Sequence, residues 1–291
     1  MYKIYRKANI LYIPALLLIL LFVVYPFFDG IRISFTNWNG YSQTYRYIGF
    51  ENFLRLLTDV NIRNATLNTL AYGFGSTFLQ QILGLTAAML LNQAFRGRAI
   101  ARTILYLPVM VSAVIMGYMW QYLTQYSGAL NDIVNLFGKE PVLWLSSARV
   151  TIPLLIIINS LQYYGISMVI YLAGLQSIPE MYYEAARLEG TNSRKLFLTI
   201  TFPLLYPALV TSIMINLIGG LKLFDVIRAL TGGGPGFATH SLATLIHRTY
   251  FGSNQAGLSA AIGLLLFTLI LLITIALQAF FNKKEVDLEG N

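Results

Sequence analysis

The sequence contains no cysteine, and histidine occurs only at His240 and His247. The absence of thiols excludes disulfide bonds and thiolate metal sites. The two histidines are seven residues apart, and no third candidate ligand lies near them in the sequence, whereas a zinc site needs three or four ligands. We therefore expect two solvated loop histidines and predict no metal site.

Charged residues are also scarce, at 11% of the 291 residues, whereas 56% are hydrophobic. This composition is too apolar for an ordinary soluble domain. A helix needs about 20 apolar residues to cross the hydrocarbon core of a bilayer. Six uncharged gaps are long enough for that, and they lie at 8–28, 64–95, 103–131, 150–179, 196–221 and 249–282.

These gaps predict an all-α polytopic membrane domain that occupies residues 1–291, with a charged loop at 177–199 between the fourth and fifth spans. We expect a kink at Pro108 in the third span. Gly73 and Gly84 in the second span are small enough to let other helices approach closely. The six predicted spans lie at about 8–28, 66–91, 103–122, 152–175, 200–224 and 257–281.

Lysine and arginine number 20 against 12 acidic residues, which gives a net charge of +8. Because the basic residues are scattered over many loops, no nucleic-acid surface is predicted. Local basic clusters at 3–7 and 96–102 instead indicate cytoplasmic segments. The first apolar run is longer than the core of a signal peptide and has no small-residue cleavage site, so we expect it to be retained. The sequence thus predicts a multi-pass protein of the cytoplasmic (inner) cell membrane with both termini in the cytoplasm.

The sequence shows no motif that would supply the energy for transport. No GxxxxGK[ST] motif is present, so no P-loop for ATP is predicted. The centres of the predicted spans carry no acid or base, which proton-coupled transporters usually need. No Gly-x-Ser-x-Gly motif precedes a helix, so a serine hydrolase is not predicted either. Two classes remain, namely a channel or secondary carrier for a small polar solute, and a permease powered by a separate ATPase.

The charged loop has helix signals at both ends. Ser177 and Glu180 are spaced as a capping box, and Gly190 is a natural helix stop, so we predict a short helix over 178–189. Thr191 or Ser193 is expected to cap a second helix. A charged helix of this kind often lies on the membrane surface. The alternative is a docking surface for another protein, because small residues allow close approach at Ala185, Ala186 and Gly190.

This loop resembles the EAA loop of the membrane subunits of binding-protein-dependent ABC importers. Phe202 stands where that family usually has leucine. In the family the loop is a cytoplasmic coupling helix that docks into a cleft of the ATPase subunit. The resemblance implies that Glu184 is the polar anchor and that Gly190 permits the turn. The motif consists of Glu184, Ala185, Ala186, Gly190, Ile200 and Pro203.

A second motif lies in the uncharged segment 229–247, which Thr231–Gly236 (TGGGPG) interrupts near its start. From its residues alone this stretch is a flexible turn followed by a short helix. Together with Leu230 it also resembles the L-T-x-G-G-P signature of sugar-type permeases of the MalF/UgpA-like kind.

These resemblances favour the ATPase-powered permease over the channel. They imply one permease subunit of an ABC importer for a sugar, an oligosaccharide or a related polyol or glycerol derivative. The implied partners are a second permease subunit, two ABC ATPase subunits, an extracytoplasmic solute-binding protein and the lipid membrane. ATP and Mg²⁺ would be bound by the ATPase subunits, and this chain would hold no cofactor and catalyse no covalent step.

A sugar site needs aromatic faces and hydrogen-bonding groups within an apolar wall. The segments 159–171 and 216–225 offer both, although polar residues inside a helical bundle often only bond a neighbouring helix. Lys222 either meets an acidic substrate or extends to the membrane interface, and we rank the second first. With the positions that line the cavity in similar permeases added, the predicted substrate path consists of Tyr163, Tyr164, Gly165, Ser167, Met168, Asn216, Gly219, Gly220, Lys222 and Leu223.

Overall fold

The computed structural model describes residues 12–289, with side chains up to Lys283. The basic cluster at 3–7 therefore lies outside the described residues. Within them every regular element is a helix, and the only extended pairing is an isolated bridge between Thr36 and Tyr47. The predicted all-α class is confirmed.

Fourteen α-helices follow one another in the described part of the chain. Three π-helical turns continue helices, at Leu20–Val24, Phe197–Thr201 and Arg248–Gly252. The helices are α1 (Tyr12–Ser34), α2 (Glu51–Thr58), α3 (Val60–Asn92), α4 (Arg98–Met110), α5 (Ala113–Leu123), α6 (Ala129–Leu136), α7 (Ala148–Ser177), α8 (Glu180–Leu188), α9 (Ser193–Leu196), α10 (Phe202–Leu204), α11 (Tyr206–Leu221), α12 (Asp225–Leu230), α13 (Leu242–His247) and α14 (Ala256–Glu289).

The chain divides into two compact units. The first consists of the chain up to Arg63 together with Leu245–Phe267. In this unit α1 exposes its apolar side chains, as a helix in contact with lipid does, and the amide of Asn52 in α2 donates hydrogen bonds of 2.8 and 2.9 Å to the carbonyl oxygens of Ser34 and Thr36. The second unit, Asn64–Thr244 together with the chain from Thr268 onward, contains the candidate site.

Five helices in the described residues are long and apolar enough to cross a membrane, and α4 with α5 makes a sixth span if this bent pair is counted as one. The pair bends by 93°. Pro108, the expected kink position, lies inside α4, and the break comes after it, where Val111 is extended. The break is stabilised from another helix, because the side-chain amide of Gln162 in α7 donates to the carbonyl oxygen of Val111 at 3.1 Å.

Glycines mark the closest helix crossings of the second unit. A Cβ atom built on Gly84 of α3 would lie 2.4 Å from the Cβ atom of Ser167 in α7. A Cβ atom on Gly220 of α11 would lie 3.0 Å from the Cα atom of Gly73 in α3. The expected close approach at Gly73 and Gly84 is confirmed, and it fixes α3 between α7 and α11.

Residues 231–241, here called the glycine loop, are tightly bound rather than flexible. Asn68 of α3 donates to the carbonyl oxygens of Ala238 and His240 at 2.8 and 3.0 Å, and the hydroxyl of Tyr72 donates to the carbonyl oxygen of Thr239 at 2.9 Å. His240 is 2% exposed and its Nδ1 atom lies 3.0 Å from the hydroxyl of Thr244. The expectation of a flexible turn with a solvated His240 is wrong, because α3 binds the loop and excludes water.

The charged loop forms the short helix expected over 178–189, as α8, and Gly190 follows it with φ +72°. The capping box is wrong, because the hydroxyl of Ser177 donates to the carbonyl oxygen of Gly174 and Pro179 occupies the N-cap position. The next helix is capped by neither Thr191 nor Ser193. Asn192 caps it, and its side-chain oxygen accepts from the backbone N–H of Lys195 at 2.9 Å.

Candidate functional site: a polar cavity and an exposed helix

A cavity of about 300 Å³ lies in the second unit, among α3, α5, α7, α11 and α12. Its wall combines apolar side chains, four amides, one tyrosine, two glycines and two charged groups. The lining residues are Gln80, Ala113, Asn159, Gln162, Tyr163, Ile166, Ile215, Asn216, Gly219, Gly220, Lys222, Leu223, Phe224, Asp225 and Val226.

Helix ends border this cavity. Ala113 is the first residue of α5, just after the break in the bent pair, while α11 ends at Leu221 and α12 begins at Asp225. Irregular backbone inside a membrane is tolerated where it faces protein or a cavity. Gly220 is tightly packed against α3, whereas nothing lies within 4 Å of a Cβ atom built on Gly219. Gly219 thus leaves open space in the wall.

A buried polar network ties three of the surrounding helices together. The side-chain oxygen of Gln81 in α3 accepts hydrogen bonds from the hydroxyl of Tyr171 in α7 and, at 2.8 Å, from that of Ser212 in α11. The amide of Asn216 in α11 donates to the hydroxyl of Ser167 in α7 at 2.9 Å and to the carbonyl oxygen of Ser212 at 2.8 Å. These bonds orient Asn216 at the cavity wall.

The wall contains two glutamines, Gln80 and Gln162, and the side chain of each is hydrogen-bonded to a backbone carbonyl oxygen. The side-chain nitrogen of Gln80 in α3 donates to the carbonyl oxygen of Asn159 at 3.3 Å, and that of Gln162 donates to the carbonyl oxygen of Val111. Both side chains are 1% exposed. Their positions are therefore fixed by α7 and by the break between α4 and α5.

The charged groups of the wall are Lys222 and Asp225, and both are exposed. Within the described part of the chain no ion pair joins Lys222 and Asp225. Their side chains have access to water from the cavity.

Six residues of the predicted substrate path meet in this cavity, namely Tyr163, Asn216, Gly219, Gly220, Lys222 and Leu223. The other four lie elsewhere on α7, since successive residues of a helix point in different directions. Tyr164 packs beside a buried apolar cluster, and Gly165 faces Val109 and Tyr106 of α4. Met168 is a buried member of that cluster, and Ser167 reaches the cavity only through its bond to Asn216.

Several lining residues were not among the predicted sites, and Gln80 is the most informative of them. The pair Gln80–Gln81 in the middle of an apolar span was an available signal, because buried polar groups in membrane helices are costly and often functional. Gln162 and Asp225 lie in the segments 159–171 and 216–225, which were expected to line the substrate path, but neither is among the predicted path residues. Ala113 carried no signal, because its place in the wall depends on the break after Met110.

The helix α8 presents a largely exposed surface. Leu188 is 90% exposed and Met181 is 67% exposed, and with Ala185 they share one face. Ala186 differs from the expectation, because at 7% exposure it packs inside this chain and is no part of an outer docking surface. The hydroxyl of Tyr183 lies 3.3 Å from that of Thr201, which links α8 to the segment before α11.

The model of a family described as the inner membrane component of binding-protein-dependent transport systems matches residues 80–286, which include the cavity and α8. The chain belongs to this family. The resemblance to the membrane subunits of ABC importers is therefore confirmed, and this permease is a multi-pass protein of the inner membrane.

Two relatives align over nearly their full length. The trehalose/maltose transport system permease protein MalF of Thermococcus litoralis is 34% identical and covers 93% of each chain. The probable starch degradation products transport system permease protein AmyD of Thermoanaerobacterium thermosulfurigenes is 32% identical and covers 94% of each chain. Both names describe permeases for sugars or for products of starch.

A solved structure supports the fold. One chain of a bacterial ABC transporter involved in the import of the acidic polysaccharide alginate superposes with a TM-score of 0.83. The alignment covers 97% of this permease and 98% of that chain, at 23% sequence identity. At this identity the likeness establishes the architecture alone.

Proposed function

We propose that this permease is one of two membrane subunits of an ABC importer that carries a sugar, an oligosaccharide or a related polyol or glycerol derivative. An extracytoplasmic binding protein delivers the substrate, and two ATPase subunits bind ATP and Mg²⁺ and supply the energy. This chain holds no cofactor and catalyses no covalent step. The relatives described for trehalose and maltose and for products of starch support the sugar class.

The observation that carries the proposal is the cavity. Its volume of about 300 Å³ lies at the lower end of the range for small-molecule sites, and its amides and Tyr163 stand in an otherwise apolar wall. Amides supply both donors and acceptors, which suit the hydroxyl groups of a sugar. In this proposal the substrate path runs through the cavity between α7 and α11, with Asn216 and Tyr163 as contact residues.

The proposed mechanism is alternating access, in which ATP binding moves α8 and the helices rock around the cavity. The chain offers a short route for such a movement. Tyr183 of α8 contacts Thr201, and that segment continues through Pro203 into α11, which carries Asn216 and Gly219. In α11 the close contact of Ala208 with Gly174 of α7 lets the two helices shift together.

The exposed face of α8 is the proposed ATPase contact. Glu184 serves as its polar anchor, Ala185 allows close packing, and Leu188 and Met181 add apolar area. A channel or secondary carrier would have no use for such a face. Gly190 sets the turn that orients it, because φ +72° is a backbone conformation that residues with a side chain rarely adopt. In this topology α8 and both termini are cytoplasmic.

The test is co-purification of the ATPase with the tagged permease in the assembled transporter, followed by ATP-dependent sugar uptake in proteoliposomes. Leu188→Glu should reduce both at least about tenfold, because burying an unpaired carboxylate in an apolar contact costs ~1.4 kcal/mol or more. Leu136→Glu is the matched control, because Leu136 of α6 is 85% exposed, and this variant should keep the ATPase. Wild-type co-purification together with wild-type uptake in Leu188→Glu would contradict the proposed contact.

A further inference from the structure

Two buried atoms in the cavity wall have no hydrogen-bond partner. They are the side-chain oxygens of Gln80 and Gln162, and within the described part of the chain neither accepts a hydrogen bond. Buried polar atoms in folded proteins are nearly always bonded, because an unsatisfied one keeps the cost of its lost hydration. Both residues line the cavity, and each oxygen lies just beneath its surface with less than 1 Å² exposed, so a molecule bound there reaches it after a small shift of the side chain.

The orientation of both amides is fixed by what their nitrogens contact. The nitrogen of Gln80 faces the carbonyl oxygen of Asn159, and that of Gln162 faces the carbonyl oxygen of Val111. A carbonyl oxygen only accepts, so turning either amide over would place two acceptors against each other. The open atoms are therefore acceptors, and only a donor satisfies them.

Gln81, in the same helix as Gln80, is an amide whose hydrogen bonds are all made within the protein. Its side-chain oxygen accepts from the hydroxyls of both Tyr171 and Ser212, and its nitrogen lies 3.5 Å from the hydroxyl of Ser167. The polar atoms of Gln81 are satisfied by the protein itself. The neighbouring Gln80 satisfies only its nitrogen in this way.

The charges of the cavity wall also indicate which kind of sugar the cavity accepts. Lys222 and Asp225 are the two charged residues among the lining side chains, and their formal charges cancel. A carboxylated sugar would bring one or more negative charges to a wall that has no net positive charge and that presents open acceptors. Such a group is stabilised by cationic donors and repelled by a neighbouring carboxylate.

We propose that Gln80 and Gln162 accept hydrogen bonds from hydroxyl groups of the transported sugar, and that the importer selects uncharged sugars over carboxylated ones. This inference rests on the proposed function, because it names the substrate class of the same cavity. It separates this permease from a transporter of acidic polysaccharides, with which it shares the fold. Gln80 and Gln162 are the selecting groups, because the charges of Lys222 and Asp225 cancel and leave no net attraction for an anion.

The first experiment needs no variant. The complete transporter, with its partner permease, ATPase subunits and binding protein, is reconstituted into proteoliposomes with internal ATP. Uptake is measured for maltose, trehalose and maltotriose, and for digalacturonate and alginate disaccharide. Import of the neutral sugars at least about tenfold faster supports the inference. Equal or faster import of the uronates overturns it and leaves the proposed function intact.

The second experiment tests the two glutamines. A panel of monodeoxy analogues of the best neutral substrate removes one hydroxyl donor at a time. In the wild type at least one analogue should be imported about tenfold more slowly. In Gln80→Leu or Gln162→Leu, uptake of the parent sugar should fall about tenfold, and the penalty on the matching analogue should disappear. A residue that only supports packing would slow the parent sugar and its analogues equally.

Gln278→Leu is the matched control, because Gln278 is an exposed glutamine of α14 that does not line the cavity. It should keep the uptake and the deoxy-analogue pattern of the wild type. The inference fails if both Gln80→Leu and Gln162→Leu retain wild-type uptake and wild-type discrimination. If one variant does not assemble, the other still decides, and the wild-type comparison of neutral and carboxylated sugars stands by itself.

Discussion

Gly232 and Gly233 are neighbours in the glycine loop and differ in one respect. Both have a positive φ, at 59° and 93°, but a Cβ atom on Gly233 would lie 2.1 Å from the Cε1 atom of His240, whereas nothing lies within 4 Å of one on Gly232. The ring of His240 has no room to move aside, because it is buried and hydrogen-bonded to Thr244. The two positions therefore separate backbone strain from steric overlap.

We predict that Gly233→Ala is much more destabilising than Gly232→Ala. Gly232→Ala should cost about 1–2 kcal/mol, which is the strain of a left-handed alanine. Gly233→Ala adds overpacking of about 1–3 kcal/mol. The measurement is the thermal midpoint of the purified permease in detergent, and Gly233→Ala should melt several degrees below Gly232→Ala. Equal midpoints would show that His240 does not pack on the loop.

The sequence predicted this loop only in part. The run of glycines correctly indicated a turn, since φ is positive at Gly232, Gly233 and Gly236. Its rigidity and the burial of His240 were missed, because the groups that bind it lie about 170 residues earlier in the chain, at Asn68 and Tyr72. No local pattern identifies such a partner.

At the scale of helices, the crossing of α3 and α7 depends on Gly84, where a Cβ atom would overlap Ser167 and approach the backbone of Met168 to 3.0 Å. Membrane helices associate mainly through close packing, so a single methyl group at such a crossing separates them. Gly219 of α11 is the contrasting position, because its Cβ atom would occupy open space.

We predict that Gly84→Ala lowers the stability of the permease by about 1–3 kcal/mol through overpacking. Gly219→Ala should leave stability unchanged or raise it, because alanine is the better helix former by about 1 kcal/mol. Thermal midpoints and the yield of monodisperse protein provide the measurement. A Gly84→Ala protein as stable as Gly219→Ala would mean that α3 and α7 are not in close contact.

Long helices were more predictable than their interruptions. The uncharged gaps located the apolar helices because bilayer thickness sets their length. A kink was predicted at Pro108, but the chain breaks after it, at Val111, where Gln162 of a different helix stabilises the break. For the same reason the sequence located Tyr163 and Asn216 in the right segments but did not identify which faces of α7 and α11 border the cavity.

At the scale of the whole molecule, one membrane-crossing helix, α7, separates Ser127 from Ser193. Both serines are exposed. In the proposed topology Ser127 is extracytoplasmic and Ser193 is cytoplasmic. The chain has no cysteine, so a single introduced cysteine is the only thiol and can be labelled without background from the permease.

We predict that Ser127→Cys reacts with a membrane-impermeant maleimide in intact spheroplasts, and that Ser193→Cys reacts only after the membrane is permeabilised. The unmodified permease serves as the control for non-specific labelling. Labelling of both positions from the same side would be incompatible with α7 as a span. Labelling in the reverse order would place α8 outside the cell and overturn the proposed ATPase contact.

Two adjacent glutamines in α3 have different surroundings: one bonds neighbouring helices with all its polar atoms, and the other does so with its nitrogen alone. Gln81 bonds α7 and α11, whereas Gln80 keeps an unsatisfied acceptor in the cavity wall. Gln80 and Gln162 also bond α7 and the break at Val111 through their side-chain nitrogens, so only their oxygens are unused by the protein. A laboratory redesign of the proposed specificity should therefore keep Gln81 and replace Gln80 or Gln162 by residues that still donate to the same backbone carbonyl oxygens.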